Sequence, residues 1–246
     1  MALKTVDEPV TLNLRFVVGN DVWQPGKAYS SSGNWLALAC TSDQCALTPA
    51  RLKVSKRSWQ GHYDETATKG QLLSFALDSE QKGKIVAWLQ TDSRLPWLQP
   101  RAVPVYPQQV AAEPGTLETQ VQLPGGGLAL LVPLLEGAKR THDSEYGTGE
   151  HLLGGAFRLQ LRTSGKRQML QGELGACSHS ISGDYLLWAG DLDGDGNADY
   201  LVSFIDADGP VHLYLSSAAL ADELAGFAGS YMSSPFGGEC DGAGWF

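Results

Sequence analysis

Four aspartates crowd one short run of this chain. In WAGDLDGDGNADYLVSF (188–204), Asp191, Asp193 and Asp195 alternate, Gly196 follows, and Asp199 closes a nine-residue span. Carboxylates this close repel one another unless something positive stands between them. A hard cation that takes six to eight oxygens is the natural partner, and calcium tolerates the irregular geometry of a loop better than magnesium does. Gly194 and Gly196 permit a sharp reversal, and Gly196 falls where calcium loops place a glycine at position six. The next residue, Asn197, is placed to offer its backbone carbonyl. The predicted ligand set is therefore Asp191, Asp193, Asp195, Asn197 and Asp199 around a structural Ca2+. The competing reading is a plain polar Asp/Gly turn, which bears the repulsion without an ion to offset it.

The order D-x-D-G-D-G-x-x-D followed by the apolar YLVSF resembles the calcium loop of integrin-type FG-GAP and VCBS repeats. That resemblance implies a loop joining two β-strands, with Asp191, Asp193, Asp195 and Asp199 as side-chain ligands and Asn197 as a backbone ligand. It covers about twenty residues, and the motif occurs once rather than as the repeat of a propeller. An EF-hand loop is also similar, but its twelfth position would be Val202 in place of a glutamate, and the flanks here look like strands.

Other reactive residue types are less ordered. No G-x-S-x-G and no H-E-x-x-H is present. In GACSHS, Cys177, Ser178 and His179 are sequence neighbours, and neighbours on a strand point to opposite faces. The polar connection 136–155 holds His142, Asp143, Glu145, Glu150 and His151; a hydrolase built on that loop is the alternative to a binding protein. His62 and Asp64, in GHYDE, are suggestive by type alone. Trp23, Trp35, Trp59, Trp88 and Trp97 crowd the first half, as a ligand-binding aromatic face or, more commonly, as core.

The four cysteines are Cys40, Cys45, Cys177 and Cys240. Cys40 and Cys45 flank TSDQ between two strand-like runs, so a hairpin brings them face to face for a disulfide. Cys177 and Cys240 are then left to pair with each other. Buried free thiols are the alternative, and C-x4-C with two distant partners is a poor zinc spacing. The opening MALKTVDEPV has no apolar signal core. Either the protein is cytosolic or a signal peptide was removed. Two disulfides favour the second case, a periplasmic or secreted protein.

These residues must be held by strands. The apolar runs of residues 10–110, such as VTLNLRFVV, NWLALAC and KIVAWLQ, have period two or are short and bounded by turns. A proline-rich stretch follows, with Pro96, Pro100, Pro104, Pro107 and Pro114; it reads as extended and irregular, joining two lobes or running along an edge. A second β series includes LALLVPLL, AFRLQLR and VHLYLSS, with hairpin turns expected at RTSGK (162–166) and DADG (206–209). Residues 216–232 have helical spacing at Leu220, Leu224 and Phe227, with Ser217 as N-cap. The expected fold is mainly β, antiparallel sheets of sandwich or meander type with a short C-terminal helix. Its expected division is an N-terminal β lobe (1–95), a proline-rich connection (96–115), and a C-terminal β lobe (116–246) that carries the calcium loop.

Charge is divided along the chain as well. Residues 1–110 carry 12 Lys/Arg against 9 Asp/Glu and residues 111–246 carry 6 against 18, so +3 and −12 make up the net −9. An acidic second half argues against nucleic acid and suits cations or a basic protein. No apolar run reaches the ~18 residues of a membrane-spanning helix. The functional expectation is a non-enzymatic, calcium-binding, disulfide-stabilised β protein of the cell envelope. It would bind a protein or glycan partner, as an inhibitor or immunity-type protein does.

Overall fold

The computed structural model describes residues 12, 14–25, 29–41, 44–60, 67–78, 83–91, 95–110, 118–136, 139–141, 151–153, 156–171, 174–175, 185–204 and 210–232. It is built from antiparallel β-sheets, as the period-two runs predict. The first sheet contains β1 (Phe16–Val17), β2 (Val22–Pro25), β3 (Trp35–Cys40), β4 (Cys45–Trp59), β5 (Thr68–Leu77) and β6 (Lys84–Gln90), in the order β1-β6-β3-β4-β5-β2, and β7 (Arg101–Val103) pairs with β4. Its two edge strands, β1 and β2, are joined by residues 18–21, a link that spans at most ~18 Å. Six flat strands would put those edges ~24 Å apart, so the sheet curls. Asn20 fastens the link, donating to Phe75 O at 3.1 Å and accepting from Phe75 N–H at 2.7 Å. Inside the curl, Phe75 stacks on Trp88 at 4.7 Å and meets the edge of Trp35 at 5.1 Å. Alternate residues turn the other way: Phe16, Leu38, Ala87 and Leu89 face Trp188, Leu192, Leu201 and Leu213.

The second sheet is formed by β8 (Gln108–Val110), β9 (Thr119–Gln122) and β10 (Leu128–Glu136), then, beyond the small pair β11 (Lys139–Thr141) and β12 (His151–Leu153), by β13 (Ala156–Arg162), β14 (Arg167–Met169) and β15 (Leu174–Gly175). Its order is β14-β13-β10-β9-β8, with β15 on β13. The turn expected at 162–166 is present, closed by Thr163 N–H to Lys166 O at 2.9 Å. The turn expected at 206–209 lies outside the described residues.

The third sheet runs β16 (Leu186–Gly190), β17 (Asp199–Ser203), β18 (Pro210–Leu215) and β19 (Gly226–Met232) in chain order. It is covered on both faces. Trp188, Leu201, Leu213 and Tyr231 join the core of the first sheet, while Ala189, Tyr200, Val202 and Tyr214 join that of the second. A doubly covered strand needs apolar residues at successive positions, which is why YLV reads as continuous rather than alternating. The proline-rich stretch touches all three sheets. Arg101–Val103 pairs with β4, Val105 bridges Gly190, and Gln108–Val110 pairs with β9. Pro104 and Pro107 fall between these paired residues and Pro100 just before them, where no ladder N–H is required.

The expected C-terminal helix is not formed. A 3-10 turn covers Ser216–Ala218, and Gly226–Met232 is strand β19. The reason is tertiary: β18 needs a partner on its open side, and Gly226 passes so close to the turn that a Cβ there would lie 1.9 Å from Ala218 O. Leu220 is 39% exposed whereas Leu224 and Phe227 pack into the core, so the three do not share a helical face. Among the described residues, no helix is long and apolar enough to cross a membrane.

Candidate metal centre

The aspartate loop is the connection of the β16–β17 hairpin, with Gly190 and Asp199 paired at its base. Leu192 anchors it from within: this side chain is 1% exposed and is inserted between the first and third sheets. Gly194 and Gly196 have φ of 84° and 85°, the left-handed conformation that glycine tolerates without a Cβ clash.

Carboxylates receive the backbone donors of the loop. Asp191 accepts from Gly194 N–H at 2.6 Å and Gly196 N–H at 3.1 Å. Asp193 accepts from Asp195 N–H, and Asp195 from Asn197 N–H, at 3.2 and 2.8 Å. The result is a tight group: one oxygen from each of Asp191, Asp193 and Asp195 lies within 4.8 Å of the others. Asp191 and Asp193 are buried, and Asp195 is exposed at the rim. Three hard, anionic oxygens converging in this way are able to hold a metal ion.

Asp199 stands outside that group. It is fully buried, and its Oδ2 accepts from Leu192 N–H at 2.6 Å and Asp193 N–H at 3.2 Å, while Oδ1 accepts from Ser216 N–H at 2.7 Å. Burial first, and the Asp193 charge second, push its carboxyl up to about 7. Asp193 is raised too, chiefly by burial, against the lowering effect of the Ser217 hydroxyl bonded to it. Asn197 is at the rim, its carbonyl accepting a long 3.5 Å bond from the Tyr106 hydroxyl.

Two further segments clamp the loop, and neither was visible as part of the site in the sequence. On one side, Pro104 O accepts from Asp191 N–H at 2.9 Å, and the Arg101 guanidinium donates to Leu192 O. Burial and the nearby Asp191, Asp199 and Asp195 charges raise the Tyr106 phenol. On the other side, the 3-10 turn supplies Ser217 Oγ to Asp193, and Ser216 Oγ within 2.9 Å of Asp195 and 3.0 Å of Asp199. The single Ser216 hydroxyl proton serves one of those two carboxylates at a time. Ser217 was expected to cap a helix; the same hydroxyl chemistry caps the loop instead.

The remaining expectations divide between the described and the undescribed residues. Cys40 and Cys45 are bonded as predicted, opposite one another in the β3–β4 register with Cα atoms 4.0 Å apart. Cys177 and Cys240 lie outside the described residues, as do His142, Asp143, Glu145 and Glu150, and His62, Asp64, Ser178 and His179. His151 begins β12. Trp35 and Trp88 are core residues, and Trp23 and Trp97 are half-buried. No family model, no curated protein and no solved structure matches this chain.

Proposed function

We propose that the 191–199 loop holds a structural calcium ion, and that the chain is a non-enzymatic β protein of the cell envelope that binds a protein or glycan partner. The observation that carries the calcium reading is the convergence of Asp191, Asp193 and Asp195 within 4.8 Å on a strand–loop–strand hairpin. In this reading Asn197 O and Asp199 complete the ligand set. The ion's role is to neutralise the carboxylates and tie β16 to β17. Calcium fits better than magnesium because the donors come from an irregular loop, and magnesium demands near-octahedral geometry. The Cys40–Cys45 disulfide supports an oxidising compartment, where even a weak calcium site fills.

Chelation tests this directly. A ligand present at a hundred times its dissociation constant stabilises by about 2.7 kcal/mol, which for a chain of this size is a shift of roughly 5–10 °C in Tm. EDTA, with removal verified by metal analysis, is expected to lower Tm by that amount, calcium to restore it, and magnesium to restore less. Asp193→Ala and the milder Asp195→Asn are expected to respond to neither. An unchanged melt in demonstrably metal-free protein overturns the reading.

A further inference from the structure

Strand β4 outruns one of its neighbours. β3 pairs with it only as far as Ala50, whereas β5 accompanies it from Ala50 to Trp59. The hydrogen bonds fix which way its backbone faces. Thr41 N–H donates to Gln44 O, so the next pair, Cys40 and Cys45, is not hydrogen-bonded, and by alternation Ala46, Thr48 and Ala50 turn their backbone groups toward β3. Asp78 N–H donates to Pro49 O, so Pro49 faces the β5 side, as do Arg51, Lys53, Ser55 and Arg57. The ladder from Ala50 to Trp59 has no register shift. Leu52, Val54, Lys56 and Ser58 therefore turn N–H and C=O away from β5, to the side on which β3 has ended. Among the described residues no strand pairs with them there. Leu52 is buried, but the run emerges along its length, and Lys56 and Ser58 are exposed. A regular edge without bulge or proline is a template for one more strand.

The side chains select which strand. Five of the twelve Lys/Arg of residues 1–110 lie on the β4–β5 hairpin: Arg51, Lys53, Lys56, Arg57 and Lys69. Arg51 is paired with Asp78. The other four are exposed and, among the described residues, meet no carboxylate. Asp21 accepts instead from Ser74, the residue opposite Lys53. By alternation Lys53 and Arg57 stand on one face of the ladder; Lys56 stands on the other, together with Lys69, which is opposite Ser58.

We infer that the free edge of β4, residues 54–58, takes up an extended acidic segment of a partner protein as an added strand, with backbone bonds to Val54, Lys56 and Ser58 and carboxylates on Lys53, Lys56, Arg57 and Lys69. An added strand lies between the two faces and sends alternate side chains to each, so carboxylates at successive positions reach both sets of cations. A membrane or duplex surface meets one face only. A neutral glycan leaves all four charges unmatched. A second copy, paired edge to edge about a two-fold axis, would oppose cation to cation. Lysine on an edge turns away strands that carry no compensating charge, and the same residues thereby favour an acidic one. The inference rests on the reading of the chain as a binding protein and gives that reading one edge and one chemistry of partner.

Peptide display and amide exchange by NMR, both on the full chain, test it. The probe is a displayed library of linear heptapeptides, from which enriched sequences are synthesised. In the free protein the amides of Lys53, Ser55 and Arg57 are expected to be protected from exchange and those of Val54, Lys56 and Ser58 not; equal protection overturns the open edge. Selection is expected to enrich Asp and Glu among β-branched residues, and the bound peptide to protect Val54, Lys56 and Ser58. Affinity is expected to fall at least tenfold in Lys56→Glu/Arg57→Glu, and likewise in Ser58→Pro, which deletes one edge N–H and no charge. The same loss is expected when alternate amides of the peptide are N-methylated. Unchanged Tm in the variants separates lost contact from lost fold. Binding that survives both N-methylation and Ser58→Pro is charge attraction without a strand and overturns the inference. So does enrichment of neutral or basic sequences, or no enrichment. Peptides that protect amides elsewhere overturn the edge while leaving a binding protein in place. A chain that binds no peptide and no member of a glycan array removes the binding reading as well.

Discussion

Two hairpins of this molecule are closed by different chemistry. The β3–β4 connection is stapled covalently, Cys40 to Cys45. The β16–β17 connection is held by carboxylates that accept the loop's own N–H groups. They meet across the core: the Trp188 indole N–H, on β16, contacts Cys45 Sγ at 3.4 Å. Beneath it Gly190 passes so close that a Cβ would fall 2.3 Å from Pro104 O and 2.4 Å from the Trp188 ring. A covalent staple acts without regard to cations or pH. A carboxylate cage does not, because its charges repel until an ion or a proton neutralises them. The first hairpin is therefore a fixed element, and the second is one whose strength is set by its surroundings.

This contrast can be broken in several ways, in decreasing order of effect. Asp199→Ala leaves the Leu192, Asp193 and Ser216 N–H groups without their buried acceptor, at a cost of about 3–4 kcal/mol. Urea denaturation in saturating calcium is expected to show this loss together with an end to calcium dependence. The double variant Cys40→Ser/Cys45→Ser releases a short loop, for which chain entropy gives about 2 kcal/mol. Its calcium-induced shift in Tm is expected to persist, and disappearance of that shift would show that the two hairpins act as one unit.

The pH dependence should separate them further. Asp199 titrates at about 7 in the ion-free fold, above the ordinary unfolded value near 3.9. Ion-free protein therefore holds its proton more tightly when folded. This contribution is complete below pH ~4 and is lost as pH rises through 7. Calcium favours the ionised carboxylate, so the difference in Tm between calcium and EDTA is expected to grow from pH 5 to pH 8, and a flat profile would refute it. The smallest effect belongs to Ser216→Ala, which removes one hydroxyl donor from Asp195 and Asp199 but keeps the backbone N–H. A loss of about 1 kcal/mol is expected in calorimetry, with calcium binding retained.

Much of the local structure was legible in the residues. Cys40 and Cys45 were readable because a four-residue connection between strands leaves its ends opposite one another. The aspartate loop was readable because charge, glycine and spacing all lie within nine residues. The 216–232 segment misled because Leu220, Leu224 and Phe227 satisfy a helical period that Gly226 and the open edge of β18 override. Arg101, Pro104, Tyr106, Ser216 and Ser217 carried no signal of the site, since they reach the loop from segments remote in sequence.

The sequence by itself determined what is local: the strands, the turn at 162–166, the disulfide hairpin and the acidic loop, because each depends on residues a few positions apart. Tertiary structure decided what is shared: the burial of the third sheet on both faces and the clamping of the loop from two sides. These follow from which sheet covers which face, and alternation along one strand shows that a face exists but not what lies against it.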